Sequence, residues 1–191
     1  MNTLYPVFLK TENFSILIVG GGFVGTEKMS FMLKNSPNAT ITLVAKEISE
    51  EIRLLAESRP AVQLKEKAFE PADLEHHQLV IAATADKTLN HKIYQAAKEK
   101  QILINVADTP DLCDFYLGSI VTKGDLKIAI STNGKSPTLS KRLREFFEEI
   151  LPENINELIV HLHDYRNTLK GSFEEKVQRL NDITKDFLSK K

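Results

Sequence analysis

Short apolar runs alternate with helical spacings along the first two thirds of the chain. Ser15-Ile16-Leu17-Ile18-Val19 is an unbroken apolar run, the pattern of a strand buried on both faces. Thr26 to Lys34 follows with helical spacing at Met29, Met32 and Leu33. Ala39 to Ala45 is β-branched and strand-like, and Ile48 to Glu57 places Ile48, Ile52 and Leu55 on one helical face. Val62-Gln63-Leu64 reads as a shorter strand and Gln78 to Ala83 as another buried one. Asp86 can cap a helix carrying Leu89, Ile93 and Ala97, and Ile102 to Val106 reads as a fifth strand. Strands separated by helices of this length pair in parallel through right-handed crossovers. The pattern predicts an α/β fold, an open parallel sheet with helices on both faces.

The pattern changes after Asp108-Thr109-Pro110-Asp111. Ser119 to Thr122 and Leu126 to Ser131 read as two strands joined by a turn at Lys123-Gly124-Asp125. Ser136-Pro137 opens a helix, Ser as its cap and Pro at its first position, with an apolar stripe at Leu139, Leu143, Phe146, Phe147, Ile150 and Leu151. Pro152 ends it. One further amphipathic segment carries Ile155, Leu158, Ile159, Leu162, Tyr165 and Leu169. A second carries Phe173, Val177, Leu180, Ile183 and Phe187. These stripes need a surface to pack on, either the body or a second copy of the chain. Three parts are expected: residues 1–112 as the sheet domain, a small α+β segment at 113–151 suited to dimerisation, and a helical C-terminal tail at 152–191.

Composition narrows the function classes. Twenty-five Lys and Arg against 26 Asp and Glu give a net charge of −1, which argues against a general nucleic-acid binder. Apolar residues make up 42% of the 191, enough for a core. No apolar run approaches the roughly 18 residues of a bilayer crossing, and the N-terminus lacks the basic-then-apolar pattern of a signal peptide. No membrane partner is expected. The single cysteine, Cys113, excludes a disulfide framework. A cytoplasmic protein is the expectation.

Half of the eight glycines fall within six residues, Gly20-Gly21-Gly22-Phe23-Val24-Gly25. Gly20, Gly22 and Gly25 make G-x-G-x-x-G between a buried strand and a helix, the context of a dinucleotide-binding fingerprint in a Rossmann-type sheet. Gly20 would allow the tight turn, Gly22 the approach of a pyrophosphate, and Gly25 close packing of helix on strand. The helix N-terminus adds free N–H groups and a partial positive charge. An acidic residue to hold the adenosine ribose should end the second strand. That strand ends Val44-Ala45-Lys46-Glu47, with Glu47 late and Lys46 able to meet a 2′-phosphate. The loop alone leaves NAD against NADP open.

With the glycine loop in place, Asn105 to Phe115 (NVADTPDLCDF) and Ile128 to Pro137 (IAISTNGKSP) become recognisable, together with Tyr5-Pro6-Val7-Phe8-Leu9 and Ala82-Ala83-Thr84-Ala85-Asp86. Over about residues 4 to 151 the chain resembles the precorrin-2 dehydrogenase family, which includes the dehydrogenase/ferrochelatase portion of siroheme synthases and stand-alone enzymes. The resemblance implies NAD-dependent oxidation of precorrin-2 to sirohydrochlorin, and in some members insertion of Fe²⁺. It implies a stand-alone enzyme, since 40 residues after the match leave no room for the methyltransferase part of siroheme synthases. It implies cofactor contacts at Phe23 and Val24, at Lys46 and Glu47, and at Thr84 and Ala85. Asp108 matches the family's essential aspartate and Ser131 a serine of its substrate region. Members often lack the acidic ribose residue and still use NAD.

The residues themselves leave some roles open. Asp108 ends the fifth strand, where such sheets bind ligands, so its carboxylate can take a proton or orient a macrocycle. Asp-Thr-Pro-Asp is equally an ordinary turn composition. Lys135, Lys141, Arg142 and Arg144 gather near the helix that Ser136 opens. Lys135, Ser136 and Arg142 are candidates to hold substrate carboxylates, against the plainer reading of a solvated basic face balanced by Glu145, Glu148 and Glu149. Cys113 reads as a packed thiol. His161 and His163 diverge on a helix, and no metal site is expected, so iron would be a substrate. A homodimer is expected from the unpartnered stripes. The competing reading is a non-catalytic NAD-sensing module that regulates a partner. The segments around Asp108 and Ser131–Pro137 favour the enzyme, because a sensor has no reason to carry them.

Overall fold

The two face-to-face requirements of the apolar strands are met in a five-stranded parallel sheet. A computed structural model describes residues 2–185; Phe187 of the last predicted stripe lies outside the described residues. The strands β1 (Ser15–Val19), β2 (Thr40–Ala45), β3 (Val62–Glu66), β4 (Leu79–Ala82) and β5 (Leu103–Val106) lie in the order β3-β2-β1-β4-β5. β1 is central, with Ile16 level with both Ile41 of β2 and Leu79 of β4. The chain winds outward from β1 to β3, then returns to lay β4 on the other side of β1. The winding therefore reverses between β1 and β4, and their C-terminal ends flank the crevice where open α/β sheets take ligands.

Alternation along the strands divides the core in two. Ile16, Ile18, Ile41, Leu43 and Ile81 face α1 (Phe23–Asn35) and α2 (Glu50–Glu57), which contribute Met29, Met32, Leu33 and Ile52. Leu17, Val19, Val44, Val80, Ile104 and Val106 face α3 (Lys87–Glu99), which contributes Ile93 and Ala97. Every strand residue from Ile16 to Val19 is buried, as the unbroken apolar run requires. Asp86 caps α3 as expected, accepting from the Thr88 and Leu89 amides at 2.8 and 3.1 Å. α1 begins at Phe23, three residues earlier than its apolar spacing indicates, because its first turn is built on the glycine loop and carries no core-facing repeat. α2 begins after Ser49, whose side chain accepts from the Ile52 amide; Ile48 is buried just ahead of that cap.

β5 ends the sheet, and the chain doubles back along its free edge. The Asp114 amide donates to the Ile104 carbonyl at 2.8 Å, and the Asp114 carboxylate accepts from the Ile104 amide at 3.1 Å. Lys98 on α3 reaches the same carboxylate at 2.7 Å, which raises the lysine pKa. Asn105 donates its side-chain amide to the Phe115 carbonyl, and the Val106 amide approaches the Cys113 sulfur at 3.3 Å.

The chain divides into two compact units, residues 2–117 with 133–135, and residues 118–132 with 136–185. In the second, β6 (Ser119–Lys123) and β7 (Leu126–Ile130) form an antiparallel hairpin turning through Gly124 at φ +59°. Three helices follow: α4 (Pro137–Ile150), α5 (Ile155–Thr168) and α6 (Phe173–Thr184). Ser136 caps α4 at Leu139, and Ser172 forms a reciprocal capping box with Glu175 on α6. Lys123 donates to the Leu151 carbonyl and the Glu153 carboxylate, both at 2.6 Å, and fixes the α4–α5 turn to the hairpin. Among the described residues no helix is long and apolar enough to cross a membrane.

Asp114→Ala should cost about 1–3 kcal/mol in urea denaturation, the range for stranding a buried amide such as that of Ile104. Lys98→Met should cost far less, since it leaves that backbone bond in place.

Candidate functional site

The turn between β1 and α1 is built by close approach of backbone to backbone. Gly20 sits at φ +129°, and a Cβ there would overlap the Ala83 carbonyl at the end of β4. A Cβ on Gly21 would overlap the Glu47 carbonyl after β2, and one on Gly25 the Gly20 carbonyl. Gly22 differs: a Cβ there meets nothing within 4 Å. The protein therefore explains the absence of a side chain at three of these glycines. At Gly22 the vacancy is open space beside the start of α1, where a ligand's backbone-held group has room.

Hydrogen bonds brace the loop from both sides. The Gly20 amide donates to the Val44 carbonyl and the Ser49 amide to the Gly21 carbonyl, each at 3.0 Å. The hydroxyls of Thr26 and Ser49 meet at 3.0 Å and couple α1 to the turn after β2. Gly22 caps α1 without a side chain, so no cap side chain competes for the N–H donors of its first turn. These features fit the pyrophosphate of a dinucleotide.

The other candidates in this unit follow the C-terminal ends of neighbouring strands. Phe23 is 83% exposed at the first position of α1, while Val24 packs on the core. Lys46 and Glu47 are exposed directly after β2. Thr84 is half-buried and Ala85 exposed after β4. Asp108 is exposed after β5, with φ +58°. That left-handed backbone is uncommon outside glycine, and Asp and Asn tolerate it better than most residues. Cys113 is half-buried, with its thiol near the Val106 and Thr109 carbonyls, and burial pushes its pKa up, which suits a packed thiol rather than a nucleophile.

The substrate candidates divide differently. Ser131, Ser136 and Arg142 belong to the second unit, and Lys135 is grouped with the first. The Ser136 hydroxyl is occupied in capping α4. Arg142 pairs with Glu145 at 2.8 Å, and Arg144 holds Glu148 through both carboxylate oxygens. Lys135 is exposed, with no ion pair among the described residues. Two residues of the first unit escaped the sequence reading. Gly21 was legible as a fourth glycine with no assigned role. Asn90 is a buried amide bonded to Thr84, and its signal was one polar residue on the apolar side of α3 near Leu89 and Ile93. Among the described residues no group of three or more His, Cys, Asp or Glu is arranged to hold a metal.

Comparison with known proteins adds relatives to this geometry. Residues 7–119 match a family described as "Putative NAD(P)-binding", and residues 123–150 one described as "Sirohaem biosynthesis protein central". A siroheme synthase of Pseudoalteromonas atlantica is 36% identical over 175 residues, 92% of this chain and 37% of the relative. One from Psychrobacter cryohalolentis is 38% identical over 172 residues, 90% of this chain and 32% of the relative. The chain thus spans about a third of the length of these curated relatives. Among solved structures, SirC, a precorrin-2 dehydrogenase, superposes with a TM-score of 0.74 at 30% identity, covering 94% of this chain and 89% of that one.

The glycine geometry separates folding from binding. Gly20→Ala should lower the melting temperature sharply, because it adds both overlap and backbone strain. Gly22→Asp should leave the melting temperature near that of the parent yet abolish NAD⁺ binding in calorimetry. Unchanged affinity in folded Gly22→Asp protein would remove the loop from the site.

Proposed function

This chain belongs to the family of NAD(P)-binding proteins of sirohaem biosynthesis, and from that membership we propose that it oxidises precorrin-2 to sirohydrochlorin with NAD⁺. One observation carries the reading: the glycine loop, with its open position at Gly22, lies at the β1/β4 switch point of a chain that aligns almost end to end with a precorrin-2 dehydrogenase. The reaction draws on the cytoplasmic NAD pool, so a cytoplasmic location is part of the proposal.

The oxidation removes a hydride and a proton from the macrocycle. NAD⁺, when bound, supplies the hydride acceptor. The chain's residues do the rest. Gly20, Gly22 and Gly25 let the pyrophosphate reach the α1 N-terminus, and Phe23 and Val24 continue that contact. Lys46 and Glu47 flank the adenosine ribose from the end of β2, and Thr84 and Ala85 border the cofactor from the end of β4. Asp108 accepts the proton. Its exposure leaves it accessible to a substrate, and its left-handed backbone is a cost that a purely structural turn could avoid by using glycine. Ser131, Lys135, Ser136 and Arg142 are assigned individually as contacts for the substrate's carboxylates. Of these Lys135 is the readiest, because the Ser136 hydroxyl and the Arg142 guanidinium already have partners within the chain.

The test is anaerobic incubation with precorrin-2 and NAD⁺, read by the absorbance of NADH and sirohydrochlorin. Binding of NAD⁺ without NADH formation would favour the sensing module instead. Fe²⁺ or Co²⁺ added to the product reads metal insertion as a separate property. Asp108→Asn keeps the backbone preference and removes the base. It should lower kcat by about 10²-fold or more, with KM for NAD⁺ little changed. Near-parental turnover in this variant would exclude Asp108 as the base.

The proposal includes a homodimer formed through the second unit. Val121, Ile155 and Leu169 are its buried apolar side chains among the described residues, whereas Leu139, Phe146 and Ile150 along α4 are each more than half exposed. A two-fold pairing would cover the same face on both copies. Sedimentation should give a dimer at micromolar concentration, and Phe146→Glu should shift it to monomer. A parental monomer would overturn this part.

A further inference from the structure

The geometry points to Asn90 as a positioning residue for the cofactor, one that fixes the β4–α3 loop by standing in for a missing strand. The inference rests on the NAD⁺ site proposed above and assigns a role to a side chain that the glycine fingerprint does not include.

The need arises just beyond β4, which ends at Ala82 level with Val19 of β1 and Val106 of β5. The Ala83 amide still donates to the Val19 carbonyl at 2.8 Å, and the Ala107 amide to the Ala82 carbonyl at 2.9 Å. Beyond these rungs β1 turns away at Gly20, and Thr84 is left with no strand beside it. Its backbone polar groups still need partners, because unpaired groups in a half-buried position are costly.

Asn90 supplies them. Its Nδ2 donates to the Thr84 carbonyl at 3.0 Å, and its Oδ1 accepts from the Thr84 amide at 3.3 Å. A primary amide carries one donor side and one acceptor side, as a peptide group does, so this one side chain pairs with Thr84 as a neighbouring strand residue would. The Thr84 hydroxyl lies 2.6 Å from the same Oδ1 and 3.0 Å from the Asp86 carbonyl. The Asn90 backbone N–H donates to that Asp86 carbonyl at 2.9 Å. Thr84, Asp86 and Asn90 thus close a ring of hydrogen bonds at the start of α3.

The position of this ring ties it to the site. The Ala83 carbonyl is the wall against which Gly20 is packed, and the Thr84 amide nitrogen is the next atom along it. Asn90 therefore holds one wall of the crevice whose other wall is the glycine loop. Core packing alone does not call for an amide here. At 6% exposure, beside Ile93 and Ala97, an apolar side chain of the same branched shape, such as leucine, would suit the core's polarity better. It would leave both Thr84 backbone groups unpaired.

Kinetics separate positioning from plain structural support. Asn90→Leu keeps the branched shape and removes the pairing. Asn90→Asp keeps the acceptor and removes the donor. In both, KM for NAD⁺ should rise about tenfold, the size of one lost buried pairing. KM for precorrin-2 and kcat should stay within about threefold, the scatter expected when no bond to substrate is touched. A merely structural residue would instead lower the melting temperature and the active fraction, with KM for NAD⁺ unchanged. That result, or failure of both variants to fold, overturns the assignment. If the parent protein forms no NADH, the proposed reaction fails separately. NAD⁺ affinity by calorimetry then decides the role of Asn90 by the same tenfold criterion.

Discussion

The peptide leaving β1 must pass the end of β4 in a gap that admits no side chain. Everything at the C-terminal edge of the sheet is arranged around that contact between Gly20 and the Ala83 carbonyl. It brings β1 and β4 close enough for their ends to frame one crevice. It also aims the chain so that α1 starts at Phe23 behind its cap Gly22, with its first amides clear of any capping side chain. The same turn is bonded to the end of β2 through Val44 and Ser49. The glycine turn meets all three strand ends through backbone atoms, and backbone atoms do not change rotamer. A phosphate cradle made this way is preorganised before any ligand arrives.

The two faces of the sheet share the work unequally. On one, α1 and α2 pack against alternating residues of β1, β2 and β4, and α1 is also the helix proposed to receive the phosphates. On the other, α3 packs through Ile93 and Ala97 while its first turns, through Asp86 and Asn90, shape the loop after β4. Each helix beside the crevice has a buried half that anchors it and an N-terminal end that serves the site. The precision of the site is borrowed from the core.

Much of this was legible in the residues. Unbroken runs such as Ser15–Val19 and Leu79–Ala83 have only one comfortable home, a strand covered on both faces, so the sheet followed from hydrophobicity. The glycines were legible because few other roles demand three of them at that spacing after a strand. Caps such as Asp86 and Ser136 were legible because they act locally. What stayed hidden was long-range and polar. Asp114 meeting Ile104 joins residues ten apart through a side chain and a backbone amide, and nothing periodic marks such a bond. Asn90 looked like an interruption of an apolar face because the partner that justifies it, Thr84, is reached through the fold. The start of α1 was hidden because glycine-loop residues carry no core-facing repeat. The partners of Arg142 and Arg144, in contrast, follow from helical spacing to Glu145 and Glu148.

The doubling-back along β5 has a consequence for the molecule among its own copies. A terminal strand with free amides and carbonyls is a template on which another chain can add as a further strand, the route into intermolecular β-assembly. Here the amides of Ile104 and Val106 are already occupied by Asp114 and Cys113, so that border of the sheet offers an incoming strand no ladder to join. The opposite border is β3, where Lys65 and Glu66 are exposed and Glu66 pairs with Arg53. One border is sealed by the protein's own chain and the other carries charge, so a sheet with two open ends is kept from growing.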